Sequence, residues 1–171
     1  MALSTQGSPD SFTQRLVADR PSDRGFAERI IGWATDRKLS RQWTSASGVD
    51  TVTCRATIGL NKHKILAVET NGLVWILFGQ LLAAFPSPDP VKKEQFHKQL
   101  TDRLKKVAGG NTLKTTYKSK ASWRLCDTDL QAFLGVADWM LDQLKKTHST
   151  TVATHAANRA RIRSAEDLDN G

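Results

Sequence analysis

One dipeptide constrains the fold more than any other feature. Asn71-Gly72 lies between two β-prone runs, "HKILAVE" and "LVWILF". Asn-Gly is the strongest short-range hairpin signal, because both residues tolerate the positive φ of a type I′ turn. The alternative for the apolar stretch Val68–Phe85 is a membrane helix. Such a helix needs roughly 20 uninterrupted apolar residues. The apolar run from Leu73 to Phe85 is shorter and is broken by Gly79 and Gln80. The stretch therefore reads as a buried hairpin. In "LVWILF" both faces are apolar, which places that strand inside a sheet with both faces at least partly covered.

The neighbouring segments follow the same logic. "TVTCRATIG" alternates, with Val52, Cys54, Ala56 and Ile58 inward and Thr51, Thr53, Arg55 and Thr57 outward. "RQWTSAS" reads as a short strand before it, and Gly59 to Lys62 as the turn after it. Ser22 is placed to cap a helix carrying Phe26, Ile30, Trp33 and Ala34 on one face. "QLLAAF" fits a short helical turn ended by Pro86 and Pro88. Asp89-Pro90 opens a helix with Phe96, Leu100, Leu104 and Val107 on one stripe, stopping at Gly109-Gly110. A last helix runs from near Asp127 to Lys146. Four successive strands with short links predict an α+β fold. Its antiparallel sheet of about four strands has an N-terminal helix and two C-terminal helices packed against it.

The ends read differently. Residues 1–21 and 148–171 are polar and show no continuous apolar stripe, so both are expected to be flexible tails around one domain at 22–147. The N-terminus lacks the basic start and apolar block of a secretory signal. Cys54 and Cys126 have no CxxC spacing, so buried free thiols in a cytoplasmic protein are expected. The four histidines show no metal-ligand spacing, and neither a metal nor a cofactor is expected.

The leading helix with Trp33, the hairpin "ILAVETNGLVWILF", the helix "FHKQLTDRLKKV" and the closing "LQAFLGVADWMLDQL" together span roughly residues 24–146. In these features the chain resembles a small uncharacterised bacterial α+β domain, found alone or attached to restriction-endonuclease-like and DNA-associated proteins. The resemblance implies an accessory role around nucleic acid and brings no catalytic residue.

Charge is the feature that bears most on function. The 171-residue chain has 25 basic and 17 acidic residues, a net of +8. Ten bases fall between Val91 and Arg124: Lys92, Lys93, Lys98, Arg103, Lys105, Lys106, Lys114, Lys118, Lys120 and Arg124. Only Glu94 and Asp102 oppose them, so this segment matches the entire excess. Clustered bases with few acids are the footprint of phosphate contact. Lys92, Lys93, Lys105, Lys106, Lys114, Lys118, Lys120 and Arg124 are the candidate contacts, with Tyr117 and Trp43 as candidate stacking platforms. A solvated surface explains the lysines equally well. Core packing is the plainer account of Tyr117, Trp123, Trp33, Trp75 and Trp139, and the rim of the core that of Trp43.

An enzyme needs a site, and the spacings offer little. Asp50 before one strand and Glu69 at the end of another evoke a metal-dependent nuclease pair, but Thr70 and Asn71 stand where the Glu-x-Lys pattern needs its Lys. An inward Cys54 is inert, and neither a phosphate-binding glycine loop nor a nucleophile elbow is present. The sequence points to a non-catalytic module that contacts nucleic-acid phosphates. A module for an acidic protein partner is the alternative, and a divergent nuclease stands behind both. No membrane contact is expected.

Overall fold

The computed structural model describes residues 5–77, 81, 85–87, 89–107 and 121–169. Among these residues six antiparallel strands form one sheet in chain order: β1 (Thr5–Gln6), β2 (Ser40–Ala46), β3 (Val49–Ile58), β4 (Asn61–Glu69), β5 (Leu73–Ile76) and β6 (Ala121–Arg124). Among the described residues the long helices are α1 (Pro9–Asp19), α2 (Arg24–Asp36), α3 (Pro90–Leu104) and α4 (Leu130–Asp169). The α+β class holds, with a strand added at each edge of the expected four.

Strand alternation decides which face is covered. Val52, Cys54, Ala56 and Ile58 of β3, Leu66 and Val68 of β4, and Val74 and Ile76 of β5 are all buried on one side. Onto that side pack α1, through Phe12 and Leu16, and α4, through Phe133, Ala137, Met140, Leu141 and Leu144. On the same side α2 contributes Ala27, Ile30, Trp33 and Ala34. Trp33 Nε1 and the Arg37 guanidinium both donate to Asp138, tying α2 to α4 at 2.7–2.9 Å. Trp123 of β6 is fully covered and meets Phe133 edge-on.

Within the expected N-terminal tail, residues 5–21 are ordered as β1 and α1. Ser8 caps α1 in a reciprocal box with Ser11, and Pro9 occupies the first helical position. Two buried side chains one turn apart, Phe12 and Leu16, then hold the helix to the sheet. Residues 148–169 likewise continue α4, at a helical rise of about 1.5 Å per residue giving a rod of about 60 Å. Thr151 Oγ1 donates to the Pro86 carbonyl at 2.8 Å, so the helix still touches the domain beyond Lys146.

The turns also differ from expectation. The two-residue β2–β3 turn has positive φ at both Ser47 (50°) and Gly48 (79°), the type I′ signature. At the β4–β5 turn only Gly72 is positive, at 82°. Asn71 instead works through its side chain: Oδ1 accepts from Leu73 N–H, and Nδ2 donates to Glu69. Leu81 is helical and buried. The rest of "QLLAAF" except Phe85, and Gly109-Gly110, lie outside the described residues.

Candidate functional site

The other face of the sheet and the far end of its central hairpin carry the most distinctive chemistry. Strands β3 and β4 outrun their neighbours. The last β2 pair is Ser40 with Arg55, and the last β5 pair is Ile76 with Leu66. Past those points Ala56–Ile58 and Asn61–His63, among the described residues, pair only with each other. Three residues at about 3.3 Å each make a two-stranded ribbon that projects about 10 Å.

A register shift marks where the ribbon begins. Cys54 pairs with Leu66 but Arg55 pairs with Lys64, leaving Ile65 as an extra residue on β4. Such a bulge increases twist and re-aims the side chains beyond it. Ile65 and Leu66 are both buried, and Lys64 emerges opposite Arg55 on the outer face. Lys62 follows opposite Thr57, both exposed. Residues 55–64 thus supply three bases and no acid. Arg55 donates through Nη2 to Gln42, while its Nε is buried without a hydrogen-bond partner among the described residues. Neither Lys62, Lys64 nor Arg55 joins an ion pair there, whereas Arg15, Arg20, Arg24 and Arg37 each have a carboxylate.

The inner face of the ribbon rests on α4. Gly59 has φ +62° and lies so close to His148 that a Cβ would come within 2.7 Å of the ring. Partial burial is the main cause holding the His63 ring below its ordinary value of 6.5; a hydrogen bond to the Ile58 backbone opposes it, and His148 adds to it.

The residues singled out by sequence do not make one surface. Lys92 and Lys93 sit in the first turn of α3, and Lys105 and Lys106 beyond its last, about 20 Å away at helical rise. They are exposed or half-buried on the helix, whose Phe96, Leu100 and Leu104 face inward. Arg103 lies 4.5 Å over the Trp139 ring. Arg124 is exposed on the outer sheet face, but opposite Leu73, at the end away from the ribbon tip. Lys114, Lys118, Lys120 and Tyr117 lie outside the described residues. Trp43 is on the helix-covered side, edge-on to Phe12 with centroids 5.5 Å apart. There, with Ile31, Gly32 and Arg41, it lines a cleft of about 380 Å³. Trp75 is only half-buried and belongs to the outer face, opposite Ala67.

The carboxylates weighed for metal chemistry are split by the sheet. Asp50 is buried on the helix side, 3.6 Å from Arg15. Glu69 pairs with Thr51 on the other face. Among the described residues no group of three or more His, Cys, Asp or Glu side chains is placed to hold a metal ion. Burial pushes the Cys54 thiol up to about 12. Cys126, expected to be buried, is exposed, and desolvation followed by Asp127 raises its pKa above the ordinary value. Neither favours a thiolate. Among the described residues no helix is long and apolar enough to cross a membrane.

The ribbon bases had a visible signal. Carrying the alternation that puts Arg55 outward through a two-residue turn places Lys62 and Lys64 on the same side; a longer turn at Gly59–Lys62 hides this. Comparison with protein-family models, curated proteins and solved structures gives no match. The functional assignment therefore rests on this chain's own residues.

Proposed function

We propose that this protein is a nucleic-acid-binding module that grips backbone phosphates with the outer face of the β3–β4 ribbon. One observation carries the assignment: Arg55 and Lys64 stand directly opposite each other across the two strands. Like charges at that position destabilise a hairpin. A phosphate between them turns repulsion into shared attraction. Lys62 extends the row toward the tip, and Arg124 marks the same face at its far end. A two-stranded ribbon also has the width that a nucleic-acid groove admits. The net charge of +8 supplies the long-range attraction.

The exposed lysines of α3 then serve as secondary contacts. Replacing Arg55, Lys62 and Lys64 by Gln should weaken binding to unrelated sequences alike, since backbone contacts hold no base information. Fluorescence anisotropy with two duplexes of unrelated sequence measures this. Equal affinity of variant and wild type would refute the ribbon as the contact surface. Binding of an acidic protein but not of duplex would favour a protein partner instead.

A further inference from the structure

We infer that Leu60 is an apolar wedge that enters the base stack of duplex DNA when the ribbon docks, which presupposes the nucleic-acid binding proposed above. Leu60 is 102% exposed, far beyond Val17, Val91 and Val152, the other exposed large apolar side chains among the described residues. It occupies the tip of the projecting ribbon, in the two-residue link between Ile58 and Asn61. That turn is built by Gly59, whose positive φ suits the first central position of a type II′ turn. The second position asks nothing apolar of its occupant, and Leu60 contributes no burial to the fold.

Its surroundings specify what it meets. Lys62 and Lys64 follow it on one strand, and Arg55 stands opposite Lys64 on the other, all on the outer face. A ribbon held by phosphates on its outer face carries its tip toward the adjoining groove. The apolar surface within reach there is the stack of bases. Side chains such as Leu open a base step from the groove, and the bent duplex then meets more of the protein. The tip is backed for this load, because Gly59 rests on the His148 ring of the long helix α4.

The test uses the full chain and a duplex of about two helical turns carrying 2-aminopurine at successive central steps. Emission of that base rises when it loses its stacking neighbour. Saturating wild type should raise emission, and Leu60→Ser should abolish the rise and weaken binding on the order of tenfold, as loss of a buried Leu implies. Leu60→Phe should keep the signal. Both variants should unfold at the wild-type temperature, since Leu60 packs against nothing. Duplex binding with an unchanged emission for wild type and Leu60→Ser would overturn the wedge and leave phosphate contact intact. Uptake by anionic phospholipid vesicles that needs Leu60, alongside Leu60-independent duplex binding, would reassign the tip to a membrane surface. No duplex binding at low salt would remove both the wedge and the binding it presupposes.

Discussion

Arg55 and Lys64 face each other at the point where β3 and β4 leave the sheet, two positive charges in register on one face. If phosphate binding maintains that arrangement, stability and binding must move in opposite directions there. Lys64→Glu converts the pair to opposite charges and should stabilise the free protein by about 0.5 kcal/mol. The same change should weaken duplex binding more than Lys64→Gln does. Urea unfolding and anisotropy on one preparation check both. A variant that loses stability, or binds as well as Lys64→Gln, contradicts the relationship.

The β4–β5 turn depends on Gly72 rather than on Asn71. Gly72 sits at φ +82°, and a Cβ there would overlap Arg20 Nε and Asp23 Oδ2. That ion pair is buried at its acid end, with a 2.5 Å contact. Gly72→Ala should therefore destabilise by at least about 2 kcal/mol, combining the positive-φ penalty with displacement of the pair. Asn71→Ala loses one exposed side-chain bond to Leu73 N–H and should lose less than about 1 kcal/mol. Similar unfolding midpoints for the two variants would contradict this ranking.

Helix α1 belongs to the folded unit. Leu16 is 2% exposed against the sheet, so Leu16→Ala should destabilise by about 2–4 kcal/mol. A change under about 0.5 kcal/mol by thermal or urea unfolding would show that α1 is dispensable to the core.

His63 gives the fold a pH signature. Burial lowers its folded pKa below 6.5, so near and below that pH the unfolded chain binds protons that the folded chain resists. Stability should hold above the ordinary histidine range and decline as pH falls from about 6.5 toward the lowered folded value. His63→Gln should flatten that part of the curve. An identical decline in the variant would assign it to other groups.

The central sheet was legible because β3 alternates, β4 and β5 are β-prone apolar runs, and the turns carry Gly at positions of positive φ. Trp123 was legible as core for its size, although a four-residue strand with few apolar positions left β6 unread. Helix α1 escaped because two apolar side chains, Phe12 and Leu16, make no stripe among polar neighbours. The second half of α4 escaped because Thr and Ala positions carry little amphipathic signal, though its helix continues from a well-anchored first half. The site was half legible. Arg55 alternates outward and a two-residue turn sets Lys64 opposite it, but a longer turn read at Gly59–Lys62 hid the pairing. Counting charge along the chain instead led to α3, where Lys92 and Lys106 lie at opposite ends of a rigid rod.

Phosphate contact through the ribbon predicts a particular salt dependence of duplex binding. Each phosphate neutralised releases condensed counterions and steepens the slope of log affinity against log salt. Replacing Arg55, Lys62 and Lys64 together by Gln should make that slope shallower by up to about 2.7, while Lys92→Gln with Lys93→Gln should change it less. A slope untouched by the triple substitution, or moved more by the α3 pair, would contradict phosphate contact through the ribbon.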